Sequence, residues 1–244
     1  MFTQAPSVDT MVSKLLISIE EVSWPTTVNS TRYQIKNTIS QSFAPYLKGR
    51  ISAAKESTAG VSSTSSMLSS WSLATSVVII VLPVDALFPL IDMWRLTFLD
   101  PATCLWASSA SASAYGGLIQ TIVSRALDVL GIVTWEISKG ARNYVLTVLR
   151  LICNLFSSVV LTRRILTDET LRGTLTGVLA ESLASVDVSV RTAASSVAFN
   201  MAAWLQDGRT KGTEGEGDRE WEMELISAVV EGLGHEMSNE QVGG

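Results

Sequence analysis

Two segments of this chain are apolar around most of a helical circumference, and each carries one thin polar line. The first runs from Ala141 to Phe156, with Asn143, Thr147, Arg150 and Asn154 at i, i+4, i+7 and i+11. The second runs from Val188 to Trp204, with Thr192, Ser196 and Asn200 at i, i+4 and i+8 and Arg191 beside them. Residues at these spacings share one helix face. A helix that is apolar elsewhere must be covered on two or three sides. The polar line then marks the side left open, and a groove lined by Asn and Arg suits an extended peptide.

A hydrophobic content of 47% with a mean hydropathy of +0.30 raises the question of a membrane span. The most apolar window, Leu73 to Leu99, contains Pro83, Asp85, Pro89, Asp92 and Arg95, and Val145 to Leu161 contains Arg150 and Asn154. Neither offers the uncharged run of about 18 residues that a bilayer demands. The opening Met1-Phe-Thr-Gln-Ala-Pro6 has no charged segment leading into an apolar one, so no signal peptide is expected. Cys104 and Cys153 both sit in apolar runs and form no disulfide framework, which favours buried thiols in a reducing compartment, cytoplasmic or nuclear.

Charge is unevenly spread. Residues 207–244 hold ten acids against three bases, −7, so a net charge of −5 leaves +2 on residues 1–206. Lys139 to Thr167 carries Lys139, Arg142, Arg150, Arg163 and Arg164 with no acid. This basic middle is too sparse, and too free of interleaved aromatics, for nucleic-acid binding.

The rest reads as helix. Val8 to Val22 and Ser30 to Ile51 are amphipathic, the second with Ile35, Ile39, Phe43 and Leu47 inward and Pro45 as a kink. The β-branched tract within Trp71 to Leu82 has the look of a buried strand. It is assigned as helix because no partner strand occurs elsewhere. Val84 to Leu99 follows as a helix with Pro89 as a kink, then Leu118 to Ile137. Thr167-Asp-Glu-Thr170 is a cap signal for Leu171 to Ser185, Val188 to Leu205 comes next, and Glu220 to Met237 closes the series. Flexible loops are expected at 57–70, 107–117 and 207–219, within one domain spanning 1–244.

Asn154 and Asn200 lie 46 residues apart, each late in an apolar helix with a large residue close behind, Phe156 and Trp204. About 40–47 residues is the period of armadillo and HEAT repeats. An all-α, armadillo/HEAT-like helical repeat stack, an α-solenoid, is the expected fold.

Three blocks carry a family resemblance: Leu87-Phe-Pro-Leu-Ile-Asp-Met-Trp-Arg-Leu96, Leu146-Thr-Val-Leu-Arg-Leu-Ile-Cys-Asn-Leu-Phe156 and Val190-Arg-Thr-Ala-Ala-Ser-Ser-Val-Ala-Phe-Asn200. With Phe2 to Pro6 as a lead-in, they resemble the PUL domain of PLAA-type proteins, also found beside thioredoxin-like or desumoylating-isopeptidase domains. The resemblance implies a right-handed armadillo-like stack, in a family whose members usually continue with further repeats past the point where this chain ends. It also implies a non-catalytic adaptor in ubiquitin-dependent pathways, binding the acidic C-terminal tail of the AAA ATPase valosin-containing protein in a basic concave groove. Matched onto this sequence, the peptide-binding candidates are Arg95, Arg150, Asn154 and Asn200, with Arg142, Asn143 and Arg191 as neighbours.

Each candidate has a structural counterpart reading. Asn154 and Asn200 either ladder a peptide backbone or fix the repeat geometry. Arg150 pairs either with a ligand carboxylate or with an internal acid. Arg95, three residues from Asp92, favours a structural pair. His235 is the only histidine, and neither cysteine has ligand spacing, so no metal, cofactor or small-molecule substrate is expected. An isopeptidase-type enzyme is disfavoured because an apolar setting opposes the thiolate. The alternative to an adaptor is a structural or oligomerisation domain of a larger protein that binds no peptide.

Overall fold

The apolar periodicities become helices throughout the computed structural model, which describes residues 7–24, 29–56, 64–109, 117–132, 134–212 and 216–242, with no strand among them. Helix α1 (Val8–Glu21) buries Val8, Met11, Val12, Leu15 and Ile19, one face at i, i+3, i+4, i+7 and i+11. Helix α2 (Asn29–Thr38) runs through a single π turn (Ile39–Phe43) into α3 (Ala44–Glu56). The π turn falls just ahead of Pro45, which cannot donate into the ladder and whose ring crowds the preceding turn. Ile35, Ile39, Phe43 and Leu47 all point inward as expected.

The β-branched tract is the second half of α4 (Ser65–Val81), whose Thr64 side chain accepts from the Met67 amide. A 3₁₀ turn (Val84–Ala86) leads to α5 (Phe88–Thr97). Pro89 lies in the first turn of α5 rather than at a kink, because the amides there have no intrahelical acceptor to lose. Next come α6 (Pro101–Ala107), α7 (Leu118–Leu130), a 3₁₀ turn (Trp135–Ile137), α8 (Lys139–Leu155), α9 (Val159–Leu166), α10 (Glu169–Leu183), α11 (Val188–Lys211) and α12 (Glu216–Val242). Ser138, Ser158, Asp168 and Asp187 cap α8 to α11 with their side chains, each accepting from an amide of the first turn.

Further segments differ from expectation: the stretch expected as one helix from Leu118 to Ile137 ends as α7 at Leu130, and the 3₁₀ turn follows. The charged, Gly-rich stretch at 207–219 is helical at both ends: α11 runs on to Lys211, with Lys211 bonded to Asp207 one turn back at 2.7 Å, and ends on Gly212 in the left-handed region at φ +65°, while α12 starts at Glu216 and residues 213–215 lie outside the described residues. Helix α4 starts at Ser65, inside the expected 57–70 loop. Residues 57–63 and 110–116, Phe2 to Pro6 and the side chain of His235 lie outside the described residues.

The helices stack in two rows. The inner row is α1, α5, α8 and α11, each touching the next; the outer row is α4, α7, α10 and α12. Neighbours within a row run in the same direction. Arg142 of α8 meets Asp187, and further along, the Cys153 thiol faces the Ala193 carbonyl of α11. Likewise Gln120 meets Thr174, and Leu127 meets Gly177. These contacts join residues 40 to 54 apart, so the chain repeats one supersecondary unit. The fold is an all-α helical repeat stack. At its N-terminal end the core is aromatic: Phe43 stacks on Trp71 with centroids 4.5 Å apart, and Trp94 meets both edge-on.

Candidate functional site

Helix α8 packs against α5, α7, α11 and both 3₁₀ turns. Its buried set is continuous around most of its circumference, from Ala141 through Tyr144, Val145, Val148, Leu149, Leu151 and Ile152. Lys139 is exposed, while Arg142, Asn143, Leu146 and Arg150 are half-buried. Spaced i, i+3, i+4, i+7 and i+11, these five form the one open line on the helix. The polar stripe of the sequence is thus only partly the open side. Asn143 and Arg150 lie on it, whereas Thr147 and Asn154 turn beneath a neighbour.

For Asn154 that neighbour is α5. Asn154 is 0% exposed and its Nδ2 donates to the Arg95 carbonyl at 3.1 Å. Arg95 is 2% exposed, and its Nε donates to Asp92 Oδ1 at 2.6 Å. Neither side chain presents itself to a ligand: that of Asn154 holds α8 against α5, and that of Arg95 pairs within α5. A charge at that depth is tolerable only because it is paired and hydrogen-bonded.

The basic neighbours serve the loop between α10 and α11. Arg142 pairs with Asp187 at 3.2 Å while remaining about 38% exposed. Arg191 folds back to donate to the carbonyls of Ser185 at 2.8 Å and Val186 at 3.0 Å. Glu136 closes the cluster from the other side, accepting from the Ser185 hydroxyl and the Val186 amide at 2.6 and 2.9 Å. Nothing in the local sequence around Glu136 marks this role, since its partners sit about 50 residues on. Asn200 is half-buried on α11, one turn from Ser196, whose hydroxyl is spent on the Thr192 carbonyl, as that of Thr192 is on Val188. The structure therefore brings Arg142, Asn143 and Arg150 together on one open line and sets Arg95 and Asn154 under it.

Neither cysteine is set up as a nucleophile. Burial pushes the Cys104 thiol up to about 11 and the Cys153 thiol up to about 12. The Cys104 thiol also donates to the Phe98 carbonyl at 3.2 Å. Both cysteines are protonated at neutral pH, which suits packing rather than attack. Among the described residues no group of three His, Cys, Asp or Glu is placed to hold a metal. No single described helix is long and apolar enough to cross a membrane.

Neither a curated protein nor a solved structure matches the chain. A family model does, and it is the one suggested by the Leu87–Leu96, Leu146–Phe156 and Val190–Asn200 blocks. PUL domains are helical protein-interaction modules without a known catalytic role. With the PUL domain model matching residues 1–242, essentially its whole length, this chain belongs to the PUL domain family.

Proposed function

We propose that this chain is a non-catalytic adaptor of ubiquitin-dependent pathways, acting in the cytoplasm or nucleus, and that it binds the acidic C-terminal tail of the AAA ATPase valosin-containing protein. The observation that carries this is the open line of α8. Lys139, Arg142, Asn143 and Arg150 share it, in a span from Lys139 to Thr167 that contains no acid. Local potential rather than net charge steers an acidic peptide, so a chain of net −5 can still attract one here. Asn143 and, on the next inner helix, Asn200 supply amides able to donate to and accept from a peptide backbone. Asn154 contributes by holding α8 against α5, Arg191 by holding the α10–α11 loop, and Arg95 by its pair with Asp92 within α5.

Isothermal titration with the acidic tail peptide tests the reading at low and physiological salt. Binding should weaken as salt rises and be lost in Lys139→Glu and in Arg150→Glu. Lys139 is exposed, so its variant keeps the fold even if the half-buried Arg150 does not tolerate reversal. Undiminished binding by Lys139→Glu and by a folded Arg150→Glu would remove the ligand from this face.

A further inference from the structure

One cation of the α8 line is already engaged in the free chain. The span from Lys139 to Thr167 contains no acid of its own, but the loop between α10 and α11 carries one to it. Arg142 Nη1 donates to Asp187 Oδ2 at 3.2 Å, across 45 residues of sequence. A carboxylate of the chain thus holds the place that a carboxylate of an acidic ligand would take.

Asp187 is fixed independently of that pair. Its Oδ1 accepts from the amides of Ser189 at 2.8 Å and Val190 at 3.2 Å, and its own amide donates to the Ser185 hydroxyl at 3.1 Å. Ser185 is anchored in turn to Glu136, and Arg191 ties down the carbonyls of Ser185 and Val186. The Asp187 side chain is 23% exposed, so its second oxygen returns to water when the pair opens. It neither follows Arg142 nor depends on it.

Arg142 is the movable partner. Its side chain is 38% exposed on a long stem, and its Nε is buried with no hydrogen-bond partner among the described residues. A guanidinium offers five donors in a planar fork that suits a carboxylate two at a time. One bond to Asp187 leaves most of that capacity unused, and a half-exposed pair is weak.

We propose that Asp187 is an internal competitor for Arg142, and that an acidic ligand binds by taking Arg142 over from it. Asp187 therefore lowers the affinity of the line without touching the ligand. This rests on the α8 line being the ligand site.

Titration calorimetry of the full chain with the acidic tail peptide tests it. Asp187→Asn releases Arg142 but keeps the oxygen that caps α11, and Asn caps about as well as Asp. The variant should bind about two- to fivefold tighter than the parent, the range a half-exposed pair supplies. Asp187→Ser, another uncharged cap, should do the same. Removing an acid also lessens general repulsion, so a double-mutant cycle decides the cause. The gain from Asp187→Asn should shrink in an Arg142→Ala background. An equal gain in both backgrounds would reduce Asp187 to a nearby negative charge and overturn the proposal. So would a parent chain that binds and weakens with Lys139→Glu, yet gains nothing from Asp187→Asn or Asp187→Ser; the α8 reading would then stand without this one. A parent chain that does not bind the peptide would remove both.

Discussion

The side-chain amide of Asn154 donates to the backbone carbonyl of Arg95, 59 residues earlier, in a site from which water is excluded. An asparagine on an apolar helix therefore joins two layers of the stack. Asn154→Ala leaves that carbonyl without its amide donor and opens a small void. A buried polar group left unpaired costs about 1–3 kcal/mol, so the expected result is a Tm several degrees lower in a thermal scan. Peptide binding at the α8 line should survive wherever the variant is folded.

Asp187 does two things at once. It caps α11, accepting from the amides of Ser189 at 2.8 Å and Val190 at 3.2 Å, and it pairs with Arg142. Loss of a cap costs about 0.5–2 kcal/mol, whereas a half-exposed ion pair is worth about 0–1 kcal/mol. Urea denaturation should rank Asp187→Ala as clearly more destabilising than Arg142→Ala. The reverse order would mean that the pair, not the cap, secures this joint.

Gly140 sits in the first turn of α8 where the helix meets the 3₁₀ turn before α5. A Cβ there would lie 2.6 Å from the Cα of Asp85, a backbone atom that cannot swing aside. Helix propensity alone would make Gly140→Ala favourable by about 1 kcal/mol. The clash should reverse the sign, and a denaturation midpoint below that of the parent chain checks it. The neighbouring Ser138–Asp85 hydrogen bond, 2.5 Å, should be lost in the same variant.

Both thiols ionise later in the folded chain than in the unfolded one. With an ordinary value of 9.0 raised to about 11 for Cys104 and about 12 for Cys153, the folded state holds protons that the unfolded state has released. This contribution is complete below pH 9 and is lost progressively as pH rises toward 11 and 12. Burial raises the Tyr144 phenol as well, so it acts in the same direction. Urea midpoints should fall from pH 8.5 to pH 10.5, and Cys153→Ala should flatten the slope. A thiol reagent at pH 8 should label neither cysteine until urea is added.

Much of the architecture was readable from residue spacing. The apolar faces of α1, α8 and α11 and the Thr167–Thr170 cap signal ahead of α10 follow from side chains a few positions apart. Two misreadings have local causes. Pro89 permits either a kink or a helix start, and only the preceding 3₁₀ turn decides between them. The stretch after Asp207 has the composition of a solvated loop, yet α11 continues to Lys211, with the exposed Lys211–Asp207 pair along its last turn.

The polar stripes were the harder case. Periodicity alone determined that Asn143, Thr147, Arg150 and Asn154 share a face, that most of α8 must be covered, and that the chain repeats. It did not say which neighbour covers which end of the stripe. That was decided by α5, which arrives from 59 residues upstream and closes over Asn154 while leaving Asn143 and Arg150 half-buried on the open line. Sequence periodicity reports the direction of a side chain about its own helix axis. Whether that direction meets water or another backbone depends on how the layers stack, and only the tertiary structure contains that relationship.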